Sequence, residues 1–174
     1  MTLEEFRREK DNFFASSRSP LPAAVRSGFT GLRYYPPEPA LRFQLPLEVD
    51  AARESLVMHT STGDERVYER LGWVNFEVDG TRCQLALYAP EGDLEPEAAF
   101  VPFRDATSGS ETYGSGRYLE AELHGNTVTL DFNLAYNPYC AYSEGWSCPI
   151  PPRENWLTTS IRAGEQNLEL EASA

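Results

Sequence analysis

Residues 73–88 read WVNFEVDGTRCQLALY, and this run decides the fold class. Apolar and polar residues alternate on both sides of Asp79-Gly80, a pair suited to a two-residue type I′ turn. With that turn, Val78 faces Thr81, Glu77 faces Arg82, Phe76 faces Cys83, Asn75 faces Gln84 and Val74 faces Leu85. One face is then apolar and the other carries an opposite-charge pair. A slip of one residue would scramble both, so turn chemistry and face chemistry agree on one register.

Residues 116–133, GRYLEAELHGNTVTLDFN, read the same way around Gly125-Asn126. Leu123 opposes Val128, Ala121 opposes Leu130 and Leu119 opposes Phe132, while Glu120 falls opposite Asp131. Like charges so placed cost up to ~1 kcal/mol unless a cation or water relieves them. A third hairpin is expected over 55–71, turning at Thr62-Gly63, with mixed faces. Short strands with turn pairs between them and no helical segments from Gly31 onward predict an antiparallel barrel or strongly curled sheet. Parallel crossovers would need the missing helices.

The front of the chain is helical. Thr2 with Glu5 makes a capping box; Leu3, Phe6, Lys10 and Phe13 share one stripe, and Ser19-Pro20-Leu21-Pro22 ends it. Residues 22–27 suit one short helical turn before Gly28. The expected layout is one domain over 1–174: an N-terminal helical segment at 1–28, packed outside a β domain at 31–170, with a capping loop at 135–152.

At 174 residues and 41% apolar, the chain can bury roughly 68–70% of its unfolded surface. Disulfides or metals are not needed for stability. Twenty-seven acids against 15 bases leave a net charge of −12, which argues against nucleic acid and anionic membranes as partners. One lysine, Lys10, stands beside fourteen arginines; no mechanism is read from that skew. There is no apolar run of membrane-spanning length, and MTLEEFRREKDNFF has no signal-peptide core. A cytoplasmic protein with free thiols is expected.

Histidine is scarce. His124 sits at a hairpin tip, leaving His59 as the expected interior histidine, and no nucleophile motif accompanies it. Cys83, Cys140 and Cys148 do not have zinc-ligand spacing, so no metal or cofactor is expected. Cys83 reads as core, while Cys140 and Cys148 read as packed thiols, a redox-sensitive pair, or a pair of which one is a nucleophile.

The dense polar and aromatic residues lie between 100 and 155. The stretch 135–152, about eighteen residues without regular structure, exceeds ordinary connections, and Tyr136, Tyr139, Tyr142 and Trp146 carry too much apolar area to stand in water. Arg117 shares parity with Leu119 and Ala121 and therefore points inward. A buried guanidinium needs a carboxylate, with Asp105, Glu111 and Glu154 available. Either it pins a loop, or it anchors a carboxylate or phosphate bidentately. The loop 108–116 could form an anion nest but reads more simply as a tight connection. Asp105 and Glu111 are the acid–base candidates, and Glu120 and Asp131 form a second carboxylate pair that reads more simply as solvated. Arg117, Tyr113, Asn133, Asn137, Tyr139 and Tyr142 form the candidate ligand-binding set.

FRDATSGSETYGSGRYLE, DFNLAYNPYCAYSEGWSCPIPPREN and the later IRAGEQ closely resemble the bacterial and archaeal domain-of-unknown-function family 1684. The resemblance reaches the front of the chain through FRREKDNFFASSRSPL and GLRYYPP. It implies no established reaction, cofactor or partner. One departure is Ser115, where members often have glycine. Three functions therefore stand: a β domain binding a small molecule, anions included, near Arg117; an enzyme on a small anionic substrate using Asp105 or Glu111; or a structural or protein-interaction module.

Overall fold

In a computed structural model, residues 1–168 are described; the end of the expected 31–170 segment lies outside them. Helix α1 (Leu3–Ala15) opens the chain, closed at its start by the Thr2/Glu5 capping box. A single turn, α2 (Ala23–Arg26), follows. Eight strands then form one antiparallel sheet: β1 (Arg42–Pro46), β2 (Glu48–Val49), β3 (Ser55–His59), β4 (Glu65–Val78), β5 (Thr81–Pro90), β6 (Ala98–Phe103), β7 (Arg117–His124) and β8 (Thr127–Asp131).

Their order is β1-β8-β7-β6-β5-β4-β2, with β3 added on β4. Only Leu47 separates β1 from β2, so the two ends of the path are nearly one strand and the sheet almost closes on itself. Closure needs Gly72. The β4–β5 ladder shifts register between Arg70 and Gly72, and a Cβ at Gly72 would stand 2.2 Å from the Glu48 carbonyl oxygen. No side chain fits where β2 crosses.

The β4–β5 pairing follows the alternation, from Val78↔Thr81 to Val74↔Leu85. Asp79 and Gly80 both have positive φ, 50° and 78°, as a type I′ turn demands. The β7–β8 hairpin keeps Leu123↔Val128 and His124↔Thr127, then departs from the extended pairing. The chain leaves β8 in a 3-10 turn over Phe132–Leu134 and returns beside β7 through a Tyr118↔Tyr136 bridge. The expected Glu120/Asp131 repulsion is relieved by this divergence: Glu120 accepts the Tyr136 hydroxyl, and Asp131 accepts from the Asn133 amide groups.

The 55–71 hairpin forms with a different register. Ser55↔Glu69 and His59↔Glu65 centre it on Thr62, one residue from the expected two-residue turn. The five-residue turn is held by the Thr60 N–H donating to the Asp64 carbonyl. Met58 is consequently buried and His59 exposed, contrary to the expectation that His59 lies inside.

Side chains fill the barrel. Phe132 packs against Phe76 at 5.5 Å and Phe103 at 5.4 Å between ring centroids, within a cluster that includes Leu85, Leu87, Val101, Leu119, Ile161 and Ala163. Helix α1 packs outside through Phe14, against Leu21, Leu32 and Tyr142. Among the described residues no helix is long and apolar enough to cross a membrane.

Candidate functional site

Arg117 begins β7, and its side chain is fully buried with Leu119 and Ala121. Its Nη1 donates to the carbonyls of Ala163 (2.5 Å) and Glu165 (3.1 Å), and Nη2 donates to that of Ile161 (2.8 Å). Asp105 stands 3.5 Å away as the counter-ion. Burial pulls the guanidinium pKa down and the Asp105 charge opposes that pull. Asp105 serves the same segment, accepting the Ile161 N–H at 2.7 Å and the Thr107 hydroxyl at 2.8 Å. Together the pair fastens residues 161–165 to the end of the barrel. Gly164 permits the approach, since a Cβ there would meet the Phe132 and Ala135 carbonyls at 2.7 Å.

The other two carboxylates considered for Arg117 have different partners. Glu111 is gripped by Arg162 (3.2 and 3.0 Å) and by the Tyr35 hydroxyl (2.9 Å). Hydrogen bonds from Arg162, then Tyr35, hold its pKa below the ordinary carboxylate range. Glu154 binds Arg70 and the Tyr88 hydroxyl. The 108–116 loop turns its amides inward, with the Ser110, Glu111 and Thr112 N–H groups all donating to the Thr107 carbonyl.

The remaining candidates are spread over four places. Asn133 brackets Glu38, accepting its N–H at 2.8 Å and donating to its carbonyl at 2.9 Å. Asn137 donates to the Tyr142 hydroxyl and the Gln166 carbonyl, and Tyr142 donates to Glu165 at 2.6 Å. The Tyr113 hydroxyl reaches Cys140 Sγ at 3.7 Å, and Cys140 and Cys148 are both free thiols. The 135–152 loop joins α1 to the β3–β4 tip: Tyr142 packs on Phe14, and Ile150 N–H donates to the His59 carbonyl.

Tyr139 belongs to a concave surface that the sequence reading did not locate. Between α1 and residues 134–139 lies a groove of about 480 Å³, with Phe6, Phe13 and Phe14 on one wall and Leu134, Tyr136 and Tyr139 on the other. Glu9, Lys10 and Glu120 supply its charges. A smaller hollow of about 210 Å³ continues it toward Met1 and Leu3, sharing Phe6 and Leu134. Lys10 bonds Glu165, which is 2% exposed, and sits 4.8 Å above the Tyr136 ring. One signal did point here: the lone lysine interrupts an otherwise apolar stripe. Its partner, 155 positions away, had no such mark. Elsewhere, Glu38, Glu77, Asp79 and Arg162, with Leu41 and Val78, surround a hollow of about 280 Å³. Among the described residues no group of three or more His, Cys, Asp or Glu side chains is placed to hold a metal.

A nearly closed antiparallel barrel with an outer helix, stapled at one end by a buried Arg–Asp pair, is the class of protein these features define. The chain belongs to the family described as "Protein of unknown function (DUF1684)", whose model matches residues 27–166. It is similar to an uncharacterized protein of Haloarcula marismortui solved by solution NMR, at 41% identity and TM-score 0.74, covering 97% of this chain and 94% of that one. No curated protein matches.

Proposed function

We propose that this protein is a small-molecule-binding β domain whose ligand lies in the groove between α1 and the Leu134–Tyr139 segment. The observation that carries this reading is the groove itself: about 480 Å³, floored by aromatic rings and rimmed by a few charges. That size and lining are those of small-molecule sites in general. Tyr139 and Leu134 remain 36% and 37% exposed there, so apolar area is available for a ligand to cover. Binding is favoured over catalysis because a general acid or base needs a carboxylate free to exchange protons, its pKa moved toward neutrality. Asp105 is bonded by Thr107, Ser108 and Ile161, and the Glu111 pKa is shifted the other way. Arg117 is engaged by three carbonyls, which favours the groove over Arg117 as the seat of the ligand. Free Cys83, Cys140 and Cys148 fit a reducing compartment such as the cytoplasm.

The test is titration with N-phenyl-1-naphthylamine, an uncharged dye that brightens in apolar surroundings. Saturable one-to-one binding is expected, lost in Leu134→Trp, which fills the groove, and weakened in Phe6→Asn, with thermal unfolding retained in both. Absence of saturable binding, or binding indifferent to both substitutions, would overturn the reading.

A further inference from the structure

Resting on that reading, we infer that the groove selects a hydrophobic cation, an amine or quaternary ammonium carried on an aromatic or aliphatic body. The charges at the groove are unequal. Lys10 is its one cation and is already committed to Glu165. The carboxylate of Glu165 is further engaged by the Tyr142 hydroxyl and the Asn137 N–H. Among the described residues Glu120 accepts the uncharged Tyr136 hydroxyl and has no cationic partner, and neither has Glu9. Two carboxylates are thus left without a counter-charge beside an apolar trough. A cation whose body fills the trough would supply one.

The rings favour the same sign. Aromatic faces attract cations, and this groove already displays the effect, with the Lys10 ammonium 4.8 Å from the Tyr136 centroid and 6.0 Å from that of Phe14. Tyr136 keeps its proton, because burial and the hydrogen bond to Glu120 both push its pKa up, so the ring adds no anion of its own. At longer range the net charge of −12 draws cations in and turns anions away. An anionic ligand, the expectation raised by Arg117, would here meet Glu9, Glu120 and the field of the whole chain.

Three dyes of similar size separate the possibilities: the uncharged N-phenyl-1-naphthylamine, the anion 8-anilinonaphthalene-1-sulfonate, and the cation 4-[4-(dimethylamino)styryl]-1-methylpyridinium. The cation is expected to bind about tenfold or more tightly than the anion, the scale of two partly screened carboxylates at close range, and to displace the uncharged dye. In the double variant Glu9→Gln/Glu120→Gln, which leaves most of the net charge in place, that preference should fall several-fold while the uncharged dye binds as before. Equal or tighter binding of the anion, or a cation preference untouched by the double variant, would overturn this inference and leave the groove reading standing. If none of the three dyes responds to Leu134→Trp, the groove reading itself fails.

Discussion

Replacing Arg117 by methionine keeps an apolar stem against Phe103, whose ring lies 5.2 Å from the guanidinium carbon, and removes only the charged head. Three carbonyls, those of Ile161, Ala163 and Glu165, then lose their donor. Asp105, 6% exposed, loses its counter-ion. Breaking a buried pair from one side costs about 3–5 kcal/mol, and orphaned buried acceptors keep the loss from being smaller. Against a whole-domain stability of about 5–15 kcal/mol this is a large fraction. At 2–4 °C per kcal/mol for a chain of this size, the fall in Tm is roughly 6–20 °C. Urea unfolding and calorimetry read the loss. Combining the substitution with Asp105→Asn should give a coupling of about 0.5–3 kcal/mol, because the second change no longer strands a charge. Arg117→Lys retains the charge but cannot span three carbonyls; it should fall between the two and leave dye affinity unchanged, and it carries the test if the methionine variant is not recovered folded. A loss below about 1 kcal/mol in Arg117→Met, or strict additivity with Asp105→Asn, would refute the stapling argument.

Asn155 is fully buried, accepting the Ala86 N–H and donating to the Ala86 and Pro102 carbonyls; Asn155→Ala should cost at least about 2 kcal/mol by chemical denaturation, and a neutral result would contradict that accounting. The pKa of Glu111 is lowered in the fold, so its contribution is present above its unfolded pKa and lost as pH falls through the folded one. Stability curves of the parent and Glu111→Gln should therefore differ at neutral pH and converge in acid, whereas a constant gap would count against the Arg162 and Tyr35 bonds. Among the thiols, burial pushes Cys83 and Cys148 up, while Cys140 is half-buried. Ellman's reagent should label Cys140 first and the others slowly; fast labelling of Cys83 would show that the barrel opens.

What was legible in the sequence was what neighbouring residues decide among themselves. Asp79-Gly80 and Gly125-Asn126 set two hairpins because a two-residue turn with positive φ leaves one register that keeps the apolar faces whole. That same parity turned Arg117 inward. The Thr2/Glu5 box was equally readable, being a contact across three residues. The Thr62-Gly63 turn was harder, because mixed faces on 55–71 gave no penalty for a slip of one residue, and His59 changed sides with it. What Arg117 meets inside was decided only by tertiary structure: its carbonyl partners lie 44 to 48 positions along the chain, and a backbone oxygen carries no mark in the sequence. The groove belongs to the same kind. Lys10 stood out on its stripe, but Glu165, Tyr136 and Leu134 reach it only because the barrel brings the far end of the chain against α1, and contacts of that range follow from packing rather than from any local period.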